Sequence, residues 1–233
     1  MIGEPRTHVA ECESTQLLLG PEDPEGAIAT TDHQTAGRGR LGRRWIEAPG
    51  TAVIVSVLLR PPAGRRAPEL SLVASVAVAL ALDDATGRSS AQIKWPNDVL
   101  LEGRKVAGIL AEMKGVAVVL GIGINVNQTA AELPPDTKLE AASLRTLDGV
   151  VRDREAVLAS LLRRLDCLYT EWRAGGLGAL HPELAGRDFL RGRRVGAAET
   201  VGVAAGIDEL GRLRLETPTG LVHVESGEIV LED

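Results

Sequence analysis

Aromatic side chains are scarce in these 233 residues: three Trp, one Tyr and one Phe, 2% of the chain. The core must therefore be mainly aliphatic, and an apolar fraction of 44% supplies enough for one sizeable core and a small satellite domain. Cysteine is nearly absent. Cys12 and Cys167 lie far apart with no CxxC spacing, and His8, His33, His181 and His223 form no metal-ligand pattern, which argues against a disulfide framework and a structural zinc site. The chain also lacks a bilayer-spanning run. Its longest apolar stretch, Ser71 to Leu82, is short and Ala-rich, and Met1-Ile2-Gly3-Glu4-Pro5 has no apolar signal segment, so a soluble cytoplasmic protein is expected. Positive charge is not in excess either: 26 Lys+Arg against 32 Asp+Glu leave a net charge of −6, which argues against a dedicated nucleic-acid binder. Any cationic site has to be local.

Proline and glycine punctuate the rest. Ser14 ahead of Gln16 to Leu19 predicts the N-cap of a short helix, and Ala27 to Thr31 a strand. The β-branched run Val53, Ile54, Val55, Val57 predicts a buried strand from Thr51 to Leu59, closed by Arg60-Pro61-Pro62. A long Ala/Leu/Val helix starts at Pro68 and ends at Gly87. Gln92 to Trp95, Val99 to Leu101, Lys105 to Glu112 and Val116 to Val126 follow as strands of an antiparallel meander, with tight turns at Glu102-Gly103 and Lys114-Gly115. After a polar loop from Asn127 to Thr137, Asp153 caps a helix that places Leu158, Leu161, Leu162, Leu165, Leu168 and Trp172 on one face and stops at Gly175-Gly176. Beyond Phe189, short Val/Leu segments broken by Gly192, Gly196, Gly206, Gly211 and Gly220 read as a small β-barrel, so a domain boundary is expected near residues 186 to 190.

Four segments carry chemistry. Gly37-Arg38-Gly39-Arg40-Leu41-Gly42-Arg43-Arg44-Trp45 combines glycines, which let the backbone approach an anion, with guanidinium forks that pair with carboxylate or phosphate; a solvated basic loop is the plainer reading. It also satisfies GxGxxG, yet no helix opens after it and no acid follows at the spacing a dinucleotide fold needs. In Lys94-Trp95-Pro96-Asn97-Asp98, the amide and carboxylate at the turn can face a nucleotide, a metal's water shell or a proton; an Asx-type turn is the alternative. In Gly103-Arg104-Lys105-Val106-Ala107-Gly108-Ile109-Leu110, strand alternation places Lys105, Ala107 and Ile109 on one face, where the lysine serves either an apolar site or an exposed edge. Gly121-Ile122-Gly123-Ile124-Asn125-Val126-Asn127 is a strand thinned by glycine, as for a ligand lying close to the backbone or for a bulge.

In this order, with Glu13-Ser14-Thr15 upstream and the small β domain downstream, these segments resemble biotin protein ligases from about Ser14 onward. The resemblance implies an α+β fold: a catalytic domain over residues 1–187, with a mixed sheet and helices related to class II aminoacyl-tRNA synthetases, then an SH3-like β-barrel over residues 188–233. Some members carry an N-terminal helix-turn-helix; the thirteen residues before Ser14 are too few for one, so the enzyme-only form without DNA binding is expected. The implied reaction joins biotin and ATP, with Mg2+, into biotinyl-5′-AMP, and then transfers biotin to a lysine of a biotin carboxyl carrier domain. No membrane partner is implied, and a homodimer is left open.

By motif match, Ser14, Thr15, Gln16 and Gln34 fall on the biotin ring system, and Arg38, Gly39 and Arg40 in a loop that folds over biotin and the adenylate. Lys105 matches the lysine at the biotin carboxyl and α-phosphate, and Lys105, Arg40 and Asp98 form the catalytic set, with Asp98 assisting deprotonation of the acceptor lysine. Asn97 and Asn125 are assigned to the ATP end, Trp45 to packing on the adenine or the closed loop, and Gly108 and Gly123 to close ligand approach; no protein ligand is assigned to the metal. Gln16 departs from the asparagine of many relatives, and Leu41 from a residue that is often basic. The Gly/Arg loop is expected to be mobile without ligand. A lipoate-type acyl-adenylate ligase is the alternative of the same superfold, and an RNA-binding or ligand-sensing module the alternative outside it.

Overall fold

The computed structural model describes every residue except Asp136, Lys138 and Asp233. Seven strands form the main sheet: β1 (Arg6–Cys12), β2 (Ile28–Gln34), β3 (Ala52–Leu59), β4 (Gln92–Lys94), β5 (Asp98–Leu101), β6 (Arg104–Lys114) and β7 (Ala117–Asn125). Their order is β1-β2-β3-β7-β6-β5-β4; β1 and β2 run parallel, and the other neighbours antiparallel. The β-branched run of β3 is buried along its whole length because both faces of the strand are covered.

One face packs against α1 (Glu69–Thr86), whose small Ala and Val side chains let it sit close to the sheet, and α3 (Arg154–Gly175) packs on α1 in turn. Gly87 ends α1 at φ 68°, a left-handed position that costs glycine nothing. Asp153 caps α3 by accepting the Glu155 N–H at 2.9 Å. Leu158, Leu161, Leu165, Leu168 and Trp172 are buried along α3, and the Trp172 indole donates to the buried Glu69 carboxylate at 2.7 Å. Two short helices complete the layer, α2 (Leu144–Asp148) and α4 (His181–Arg187).

The C-terminal part forms a five-stranded antiparallel sheet of β8 (Arg194–Ala197), β9 (Thr200–Ile207), β10 (Leu213–Thr217), β11 (Gly220–Val224) and β12 (Ile229–Leu231), ordered β11-β10-β9-β8-β12. The Trp95 indole donates to the Gly211 carbonyl at 2.9 Å and the Lys94 ammonium to the Ile229 carbonyl at 3.0 Å, tying this sheet to β4 and the turn after it.

Three local readings change. β1 was not expected: it is an edge strand with mostly exposed residues, so its sequence carries no apolar alternation. The helix after Ser14 is a single 3-10 turn, Thr15–Leu17, and the Ser14 hydroxyl does not cap it. Lys105 does not share a face with Ala107 and Ile109. Leu100 opposes Lys105 while Val99 opposes Ala107, so β6 carries one extra residue, and this bulge moves Lys105 to the face of Gly108 while Ala107 and Ile109 stay in the core.

Candidate active site

Alternation along β3 and β7 divides the sheet into two unlike faces. Val53, Val55, Val57, Ile122 and Ile124 point into the core shared with α1 and α3, whereas Ile54, Ser56, Gly121 and Gly123 alternate with them and point the other way. On that second face one row crosses five strands, with Lys94 opposite Asp98, Asp98 opposite Gly108, Gly108 opposite Gly123 and Gly123 opposite Ile54. It begins with an ammonium and a carboxylate and flattens into bare backbone. Over it lies a cavity of about 610 Å³.

One end of the cavity is a hydrogen-bonding nest. The Gln34 side-chain carbonyl accepts the Thr15 N–H at 2.9 Å, and the Thr15 hydroxyl lies 2.8 Å from that of Ser56. Gln16 donates to the Leu110 carbonyl at 3.0 Å and lies over Gly121, where a Cβ would come within 2.7 Å of its amide nitrogen. The Ser14 hydroxyl, the Gln16 amide oxygen and the Trp45 indole N–H are buried with no partner among the described residues. Buried polar atoms are normally satisfied, so a hydroxyl, an acceptor and a donor left open along one cavity mark a place for a polar ligand.

The other end is cationic. Lys105 approaches Asp98 at 2.6 Å, and its main chain is stapled to the segment before α2 by bonds to Glu140 and Ala142. Arg40 donates to the Asn97 amide oxygen at 3.2 Å, while Asn97 donates to the Ile109 carbonyl at 2.9 Å, so this amide aims the guanidinium. Burial pushes the Arg40 guanidinium below its usual range, with Asp98 partly opposing the shift; burial also lowers the Lys94 ammonium, again with Asp98 opposing. The Asn125 amide is engaged at both ends, accepting from Gln128 at 2.8 Å and donating to the Ala142 carbonyl at 3.1 Å. It fixes this wall of the cavity.

The Gly/Arg segment folds as a small hairpin across the mouth. Arg38 pairs with Arg44, the Gly39 N–H donates to the Arg43 carbonyl at 2.8 Å, and a 3-10 turn spans Arg40–Gly42, with Leu41 at φ 56°. Arg38 faces Glu112 at 3.6 Å, and Arg43 pairs with Glu228. Trp45 lies on the glycine floor: a Cβ on Gly123 would come within 2.5 Å of the indole, and one on Gly108 within 3.2 Å. Beyond the hairpin is a wider cleft of about 780 Å³ edged by Arg66, Glu112 and Glu225.

Every site residue named from the sequence lines the 610 Å³ cavity. Lys94, Gly121 and the β12 segment line it as well and were not assigned beforehand. Lys94 stood in the quoted Lys94-to-Asp98 motif, but nothing local announces that β12 folds back onto the site.

Comparison with known proteins gives this geometry a family. The pattern of the Biotin/lipoate A/B protein ligase family matches residues 12–128, and that of the Biotin protein ligase C terminal domain matches residues 191–232. The Biotin--[acetyl-CoA-carboxylase] ligase of Mycobacterium tuberculosis is 37% identical over 227 residues, covering 89% of this chain and 80% of that one. The chain belongs to the biotin protein ligase family. The Bifunctional ligase/repressor BirA of Bacillus subtilis is 36% identical, over 92% of this chain and 69% of its own length. Among solved structures, a biotin protein ligase from Aquifex aeolicus in complex with biotin and ATP superposes with a TM-score of 0.89 at 31% identity, covering 99% of both chains. The α+β architecture is therefore that of biotin protein ligases, with the C-terminal sheet in the place of the SH3-like domain.

Proposed function

We propose that this chain activates biotin with ATP and transfers the biotinyl group to a lysine of a biotin carboxyl carrier domain. The observation that carries the reading is the single cavity in which unpartnered polar atoms at one end meet Arg40, Lys94 and Lys105 at the other across a glycine floor. A ring with a urea-like group needs a donor and an acceptor at short range, which Ser14, Gln16 and the Thr15–Gln34 pair offer. A carboxylate oxygen attacking the α-phosphorus brings two anions together, and fixed cations lower that cost where charge develops. The bond from the α-phosphorus to the bridging oxygen breaks and pyrophosphate leaves. In the second step the lysine amine attacks the acyl carbon, AMP leaves, and Asp98 takes the amine's proton, directly or through water.

No group of three or more His, Cys, Asp or Glu that could hold a metal occurs among the described residues. Mg2+ commonly arrives on nucleotide phosphates and keeps most of its water, so the cationic end, where Asp98 is paired with Lys105, would receive it with the nucleotide rather than through a dedicated protein cage. When bound there, Mg2+ supplies charge neutralisation on the phosphates. Catalysis is assigned to residues 1–187, and the C-terminal residues 188–233 close the site through β12. No helix among the described residues is long and apolar enough to cross a membrane.

The test is exchange of labelled pyrophosphate into ATP, run with biotin, with lipoate and without an acid. Exchange with biotin alone is expected. Lys105→Ala and Arg40→Ala are each expected to fold and to lose about 10²- to 10³-fold in exchange rate, the order seen for a single preorganised donor. Exchange with neither acid, or full activity in Lys105→Ala, sinks the reading.

A further inference from the structure

Two residues beyond Trp45, Glu47 is a carboxylate with no exposed side-chain surface. Its Oε1 accepts the Gln34 main-chain N–H at 2.7 Å and lies 3.4 Å from His33 Nδ1. Its Oε2 is buried without a hydrogen-bond partner among the described residues. An acid buried on such terms is costly. Its place in the fold is specific. Gln34 carries the side chain that anchors Thr15, and its amide nitrogen would lie 2.9 Å from a Cβ on Gly37, at the foot of the Gly/Arg hairpin. The other foot is Trp45, whose N–H donates to the Gly37 carbonyl at 3.0 Å. Glu47 thus ties the chain leaving the hairpin to the strand end that bears the polar nest.

We infer that Glu47 is a positioning residue for the acid substrate: through the Gln34 main chain it sets the Thr15–Gln34 nest and the foot of the hairpin that carries Trp45. The inference rests on the ligase reading and deepens it. The role requires reach to one N–H rather than negative charge. Burial pushes the Glu47 carboxyl above the usual range, which accords with a group retained for geometry despite the cost of its charge. The ATP end, centred on Arg40, Asn97 and Lys105, has no bond to Glu47.

Two variants separate reach from charge. Glu47→Gln keeps the length and one acceptor but removes the charge; Glu47→Asp keeps the charge but is one methylene too short to reach the Gln34 N–H. Pyrophosphate exchange is measured against biotin and ATP concentration, with melting temperatures alongside. Glu47→Asp is expected to raise the KM for biotin about tenfold, the order of one hydrogen bond lost, and to leave the KM for ATP within about twofold. Glu47→Gln is expected to stay within about twofold of the parent for both. A biotin KM unmoved by Asp, the opposite pattern with Asp rescuing and Gln failing, or parallel losses toward both substrates that track a lower melting temperature would each overturn the inference. Absence of biotin-dependent exchange in the unsubstituted chain is a separate result that overturns the ligase reading and the inference with it.

Discussion

The two faces of the seven-stranded sheet are made by the same strands and do opposite work. On the helix-covered face, Val53, Val55, Val57, Ile122 and Ile124 join one core with α1 and α3, and most are wholly buried. On the reverse, residues one position along are Ile54, Ser56, Gly121 and Gly123, and the space they leave is the cavity. Burying a Val or Ile is worth about 1.5–3 kcal/mol, whereas a strand glycine packs nothing and costs backbone entropy. Along this stretch of β3 and β7 one face serves the main core and the other opens into the cavity, while the same reverse face packs a smaller buried cluster at Leu58, Ala117 and Val119 further along.

Adjacent substitutions on β7 break the comparison most sharply. Ile124→Ala, on the core face, is expected to cost about 2–5 kcal/mol in denaturant unfolding while the remaining folded enzyme keeps its exchange activity. Gly123→Ala, one residue away, is expected to cost about 1–3 kcal/mol, because the added Cβ would come within 2.5 Å of the Trp45 indole and the ring must shift. Displacing that ring by an ångström should lower biotin-dependent exchange about 10²-fold. If folded Gly123→Ala keeps its exchange activity, or folded Ile124→Ala loses it, the division between faces is wrong.

A smaller effect sharpens the contrast. Because burial raises the Glu47 carboxyl, its folded form binds a proton more readily than its unfolded form, and its ionised state penalises folding. That penalty is absent below the ordinary carboxylate range and appears as pH rises through the raised folded value. Glu47→Gln should therefore melt above the parent at neutral pH, with the gap narrowing on acidification, read by thermal melts across pH. His33 and Cys12, the titratable neighbours, are common to both proteins. A gap that widens in acid contradicts the sign.

Much of this was legible because burial on both faces writes long aliphatic runs. β3, α1 and the β4-to-β7 meander could be placed from such runs and from Gly87, Gly103 and Gly115 at their ends. β1 escaped notice because Arg6 to Cys12 forms an exposed edge with no pattern to read. The face of Lys105 was misread because a bulge adds a residue without changing composition, and one residue inverts every side chain beyond it. The motif residues could be named, but Glu47 carries no local signal, because its burial and its bond to Gln34 are set by the fold. The part of β12 is purely tertiary: the bond from Lys94 to Ile229 spans 135 positions.

That span bears on when the molecule becomes an enzyme. Chains emerge from the ribosome at about 5–20 residues per second and domains fold as units, so the sheet and its glycine floor can form well before β12 exists. Arg40 and Arg43 acquire their Gly227 and Glu228 partners 187 and 185 positions later. A nascent chain arrested between β7 and β12 would hold the polar nest without the segment that steadies the hairpin arginines, a pocket able to receive an acid before it is equipped to activate it.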